Sequence, residues 1–123
     1  MTINKDLHNQ VSVGVAIALT AVADGEDVVG AVIDCQGSEG LELIFQVGAY
    51  TDGSVTPLIE DSDDNVTYTA VADANLTNTE ASAALSAAGV SSIGYVGFKR
   101  YVRATAVTAA GSTLSVGASF VKF

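Results

Sequence analysis

The chain has 123 residues, enough for one domain around a single core, and its 14 acidic residues outweigh 5 basic ones to leave a net charge of −9. That balance excludes a partner held through a phosphate backbone, which needs a basic footprint, and no apolar run is long and unbroken enough to span a bilayer as a helix. One cysteine, Cys35, excludes an internal disulfide, and one histidine, His8, supplies neither a zinc ligand set nor a histidine-assisted nucleophile.

Residues Met1–Gln10 are polar and are expected to form an N-terminal arm, 1–10, ahead of a single β-domain, 11–123. Val11 to Ala21 alternates Val11, Val13, Val15, Ile17 and Leu19 with Ser12, Gly14, Ala16, Ala18 and Thr20. The run follows Lys5 and ends Ala21-Val22-Ala23, a superficial match to a signal peptide. Asp6 cancels Lys5, however, and alternation takes the place of a leucine-rich helix, so the run reads as the first strand. After a turn at Ala23–Asp27 comes a second strand, Val28–Cys35, closed by Gln36–Gly40. Leu41, Leu43, Phe45 and Val47 then share one face against Glu42 and Gln46, with Ile44 implying that the second face is partly covered. Asp52-Gly53 carries a hairpin signal, and Val55–Glu60 is the expected return strand, with Pro57 implying an edge or a bulge.

Asp61–Asn65 is a charged turn leading into a strand at Val66–Ala72. Thr77-Asn78-Thr79-Glu80 has the form of a capping box for a short alanine-rich helix, Ala81–Ala88, ended by Gly89. Gly94–Val107 reads as one long central strand. Its even positions Val96, Phe98, Val102, Ala104 and Ala106 are apolar, and its odd positions Tyr95, Lys99, Tyr101, Arg103 and Thr105 are polar or amphipathic. Arg100 falls on the apolar face, which requires either a bulge near Gly97 or a buried or interfacial pair with a carboxylate. A final strand, Thr113–Phe123, places Leu114, Val116, Ala118 and Phe120 on one face. Seven or eight antiparallel strands at this spacing predict an all-β fold, a β-sandwich or jelly roll.

Little in the chain carries chemistry. Asp61, Asp63 and Asn65 match the first ligands of an EF-hand loop, but Val66 stands where the loop needs glycine and Ala72 where it needs glutamate. A solvated turn is the simpler reading, and no metal site is assigned. The glycines form no nucleotide cradle, and nothing selects a carboxylate pair for glycoside hydrolysis. The chain therefore reads as non-enzymatic and without a cofactor. The candidate functional residues are Tyr95, Lys99, Arg100, Tyr101 and Arg103, a basic and aromatic run suited to an interface. An intramolecular ion pair and a small-anion site remain open alternatives for the same cations.

Two blocks, Gly48–Asp64 with its Asp-Gly turn and Ser-Asp-Asp tail, and Gly-Tyr-Val-Gly-Phe-Lys-Arg-Tyr-Val-Arg at 94–103, resemble a pattern in small structural proteins of tailed bacteriophages and prophages. The resemblance covers roughly residues 28–123, while Val11–Ala21 departs from the pattern. It implies a sandwich or jelly-roll protein on the capsid surface of the virion that decorates and cements the shell. The implied partners are the major capsid protein and further copies of the chain, commonly a trimer. Residues Met1–Gln10 and Lys99–Arg103 are then the expected contact elements. A carbohydrate-binding or host-recognition module of a fibre or tail is the rival reading, weakened by the absence of tryptophan and by having Tyr50, Tyr68, Tyr95 and Tyr101 as its only tyrosines.

Overall fold

A computed structural model describes residues 7–77 and 84–123. Among these residues a 3₁₀ turn, Leu7–Asn9, precedes ten strands: β1 Ser12–Val22, β2 Val28–Val29, β3 Ile33–Asp34, β4 Leu41–Asp52, β5 Val55–Ser62, β6 Thr69–Ala70, β7 Leu76–Thr77, β8 Gly89–Tyr95, β9 Tyr101–Thr108 and β10 Thr113–Lys122, with a second 3₁₀ turn, Asp73–Asn75, between β6 and β7. They form two antiparallel sheets. Sheet A runs β1-β10-β4-β8-β7; sheet B runs β2-β9-β5-β6, with β3 extending the β2 position alongside β9. First and last strands lie side by side, and the chain passes repeatedly between the sheets, which is jelly-roll winding. The fold class expected from the sequence is the one observed.

The inward faces follow period two. Leu41, Leu43, Phe45 and Val47 of β4 and Leu114, Val116 and Ala118 of β10 are buried against Val55 and Ile59 of β5 and Val102, Ala104 and Ala106 of β9. Ile44 is half-buried on the outer face of β4, as the alternation implied.

Several expected elements change. Asp52-Gly53 does reverse the chain, with Gly53 at φ +95° and its N–H donating to Asp52 Oδ1 at 2.8 Å. β5 does not pair with β4, however; its partners are β9 and β6. The turn is a bridge between sheets, because turn chemistry sets the reversal while burial of both apolar faces sets the pairing. Pro57 fits its strand: the Val55 N–H donates to Leu85 and the Ile59 carbonyl accepts from Val71, so Pro57, of the same parity, turns its missing N–H away from β9.

The second strand is broken at Gly30-Ala31. Gly30 N–H donates to the Ala104 carbonyl at 2.7 Å and Ala31 N–H to the Ala16 carbonyl at 2.9 Å, so this dipeptide stitches β1 of one sheet to β9 of the other. The strand expected at Val66–Ala72 shrinks to β6, because Ser62 and Asp64 draw the preceding residues into a loop. Of the expected helix Ala81–Ala88, residues 81–83 and the capping-box positions 78–80 lie outside the described residues. Residues 84–88 are not helical: Leu85 makes an isolated bridge with Val55 and packs on the core, a burial that outweighs the marginal propensity of one short helix. Of the arm, residues 1–6 also lie outside the described part.

Candidate functional site

The long strand expected over Gly94–Val107 is two strands in different sheets, β8 ending at Tyr95 and β9 beginning at Tyr101, joined by the loop Val96–Arg100. Tyr95 is the pivot. Its ring is buried, and its hydroxyl donates to Asp61 Oδ2 at 2.8 Å while accepting the Lys99 N–H at 3.1 Å. Burial, and then the bond to the Asp61 carboxylate, push the phenol well above its ordinary range. A side chain at Gly97 would run into the Tyr95 ring, at 2.5 Å from Oη, so the loop closes over the ring only with glycine there. Lys99 Nζ lies 3.8 Å from Asp61 and 3.9 Å from Asp63, which draws the acidic turn onto the loop.

Arg100 is not on a buried face. It forms an exposed two-point pair with Asp34, Nε to Oδ1 at 2.9 Å and Nη2 to Oδ2 at 2.8 Å, and its guanidinium lies 4.9 Å from the Tyr101 ring centre. This guanidinium, aided by the Gln36 N–H, lowers the Asp34 carboxyl to about 2. The ion pair expected from the alternation is present, but at the surface, since the loop removes Arg100 from the strand that would have buried it. Arg103 stands opposite Glu60 across β9 and β5, 3.2 Å away, with Thr105 Oγ1 donating to the same carboxylate oxygen at 3.3 Å and the Tyr68 ring centre 4.1 Å from the guanidinium. Lys122 Nζ donates to the Asp34 carbonyl at 2.9 Å. Among the described residues, each lysine and arginine thus has an intramolecular partner, which leaves a small-anion site without a free cation to build on.

Between these anchors stands Phe98, 98% exposed. Alternation assigned it to the buried face; the signal against that reading was its position between Gly97 and Lys99-Arg100. The loop is held at both ends, by Val96 N–H to the Asn75 carbonyl and by the Arg100 carbonyl accepting from Cys35 N–H at 2.7 Å. Beside it opens a cleft of about 640 Å³ walled by Cys35, Leu41, Gly94, Tyr95, Phe98 and Phe123. The arrangement can present an aromatic anchor on a loop held at both ends.

The other candidates separate. The acidic turn is organised by its own backbone: the Val66 and Thr67 N–H groups donate to Asp64 Oδ1, both at 2.9 Å, and with the Ser62 hydroxyl they lower the Asp64 carboxyl to about 2. Asp61 is buried under Tyr95, whose hydroxyl occupies its Oδ2. Among the described residues no three of His, Cys, Asp and Glu converge on one point. Tyr50, at the Gly53 turn, bonds that glycine's carbonyl, Arg103 lies over Tyr68 and Arg100 over Tyr101, and Tyr95 is buried.

No protein-family model matches the sequence, nor does any curated protein. Among solved structures, the chain is similar to a subunit of Bacillus endospore appendages, a family of disulfide-linked pili, with a TM-score of 0.50 and 14% identity, covering 92% of this chain and 87% of that one. At that identity the likeness is one of fold.

Proposed function

We propose that this chain is a non-enzymatic structural subunit of an extracellular particle, and specifically a protein that decorates a phage capsid and stabilises it by binding across neighbouring major capsid subunits. The observation that carries the reading is Phe98: a fully exposed aromatic on a loop fixed by the Tyr95–Asp61 and Arg100–Asp34 bonds, within the block that resembles phage virion proteins. An aromatic carried on an anchored backbone leaves only its side-chain freedom to be lost on docking, which suits an interface anchor. The other block of the resemblance, Gly48–Asp64, ends at the acidic turn, which Lys99 joins to the same loop, so the two blocks meet in space. The fold shared with a pilus subunit supports a structural role and is neutral between capsid and fibre.

The test is co-sedimentation with capsids assembled without the protein. The wild-type chain is expected to pellet with the shells and saturate at a lattice stoichiometry, and Phe98→Ser is expected to weaken binding by at least ~10-fold with an unchanged unfolding midpoint. Wild-type protein that stays in the supernatant at saturating shell concentrations overturns the reading.

A further inference from the structure

The outward face of sheet A differs from the rest of this acidic protein. Strand register places Val15, Ser119, Ile44 and Ser92 in line across β1, β10, β4 and β8, with Val13, Val121, Glu42 and Gly94 in the next line. Leu19 is 75% exposed, Val90 65% and Val15 62%. Among the described residues, Glu42 is the single formal charge at outward positions in the middle of this face, and Asp52 lies at its end opposite Thr113, in a chain of net charge −9. A shallow depression of about 250 Å³ runs along this face between Val15, Leu19, Ile44, Val90 and Gly117. By contrast, the outer face of sheet B carries the Glu60–Arg103 pair, and its margin the Asp34–Arg100 pair.

We infer that the outward face of sheet A is a self-association surface that packs, in solution, against the same face of a second copy. Two copies of charge −9 repel, and bringing most of their surfaces together would desolvate carboxylates against carboxylates. Among the described residues, this face offers small apolar side chains and hydroxyls with little charge among them. It suits the aligned stacking of sheet on sheet, about 10 Å apart, in which branched side chains interdigitate. Strands about 4.8 Å apart, paired over roughly seven residues, give a footprint on the order of 500 Å² per copy, at the lower boundary of specific interfaces, so the pair is weak and reversible. Face-to-face packing is isologous and yields a dimer, not the trimer that the phage resemblance implies. The free edge of β1 is a poorer route to assembly: its register is interrupted twice and its Ala16 carbonyl is taken by Ala31.

Sedimentation equilibrium of the full chain, from about 5 to 500 µM, tests this. The mass is expected to rise from 12.4 kDa towards twice that value, and more readily in ~300 mM than in ~20 mM salt, because salt screens the repulsion and does not weaken an uncharged contact. Val15→Lys and Val90→Lys, each burying an unpaired charge, are expected to weaken dimerisation at least ~30-fold, whereas Phe98→Ser leaves it unchanged. A monomer throughout the range, a mass limiting at three copies, or lysine variants that associate like wild type each overturn the proposal. Capsid binding is read separately, so a dimer that ignores shells removes the decoration reading and leaves this one standing.

Discussion

The Tyr95 hydroxyl donates to Asp61 Oδ2 at 2.8 Å, joining the last residue of β8 in sheet A to β5 in sheet B. The bond sits where the chain leaves one sheet for the other, and both partners are buried. Asp61 keeps its carboxylate out of water because the phenol and, more distantly, Lys99 replace the lost solvent. The Val96–Arg100 loop takes its shape from that arrangement, and Phe98 takes its exposure from the loop.

Tyr95→Phe is therefore expected to lower stability by about 1–3 kcal/mol, the cost of stranding a buried acceptor. Lys99→Met should cost under ~1 kcal/mol, since the ammonium is 3.8 Å away and partly exposed. Urea unfolding of the two variants gives the ranking; equal losses would mean that the phenol bond is not the anchor.

Acid should loosen the same end of the sandwich. Asp34 is held near 2 by Arg100, below its ordinary 3.8. A carboxyl depressed in the folded state contributes stability above its unfolded value and loses it as pH falls towards the folded one. The thermal midpoint should fall between about pH 4 and 2, and Arg100→Gln should flatten that limb by lowering the midpoint at neutral pH, the two curves meeting near pH 2. An acid limb identical in the variant would assign the loss to other carboxylates, with Asp64 the next to test by Asp64→Asn.

Gly30 gives a sharper mutational contrast. A side chain there meets the carbonyl oxygens of Ala16 and Ala104 and, at 2.9 Å, Ile17 Cγ1, so nothing flexible can move aside. Gly30→Val is expected to cost more than ~2 kcal/mol. Gly37 has φ +80° but open space around it, and Gly37→Ala should cost only about 1 kcal/mol of backbone strain. Chemical denaturation of both variants separates steric stitching of the sheets from simple turn chemistry.

The inward rows of β4, β9 and β10 were legible because burial on one face writes itself as alternation: Leu41 to Val47, Val102 to Ala106 and Leu114 to Ala118 all fall as expected. Sheet membership was not. The residues Asp52-Gly53 specify a reversal, and whether β5 returns beside β4 or crosses to the other sheet depends on contacts made far along the chain with β9. The same limit hid the break at Tyr95. Val96 and Phe98 continue the alternation of their neighbours, yet Gly97 must fold against the Tyr95 ring, a contact that spacing alone does not encode. Lys99, Arg100 and Arg103 were read as interface cations with intramolecular pairing as an alternative, and each has an intramolecular partner, while the exposed Phe98 looked like core.

Cys35 supplies the last expectation. Its thiol is half-buried, and burial pushes its pKa up, with Lys122 opposing the shift. A raised value means less thiolate at pH 8, so modification by a soluble disulfide reagent should be at least ~10-fold slower in the folded chain than in urea. The folded protein should also run as a single chain on a non-reducing gel after air exposure. That outcome would separate its assembly chemistry from that of the disulfide-linked pili whose fold it shares. Rapid labelling together with a covalent dimer would instead make Cys35 an intermolecular cross-link, on the wall of the same cleft that Phe98 overhangs.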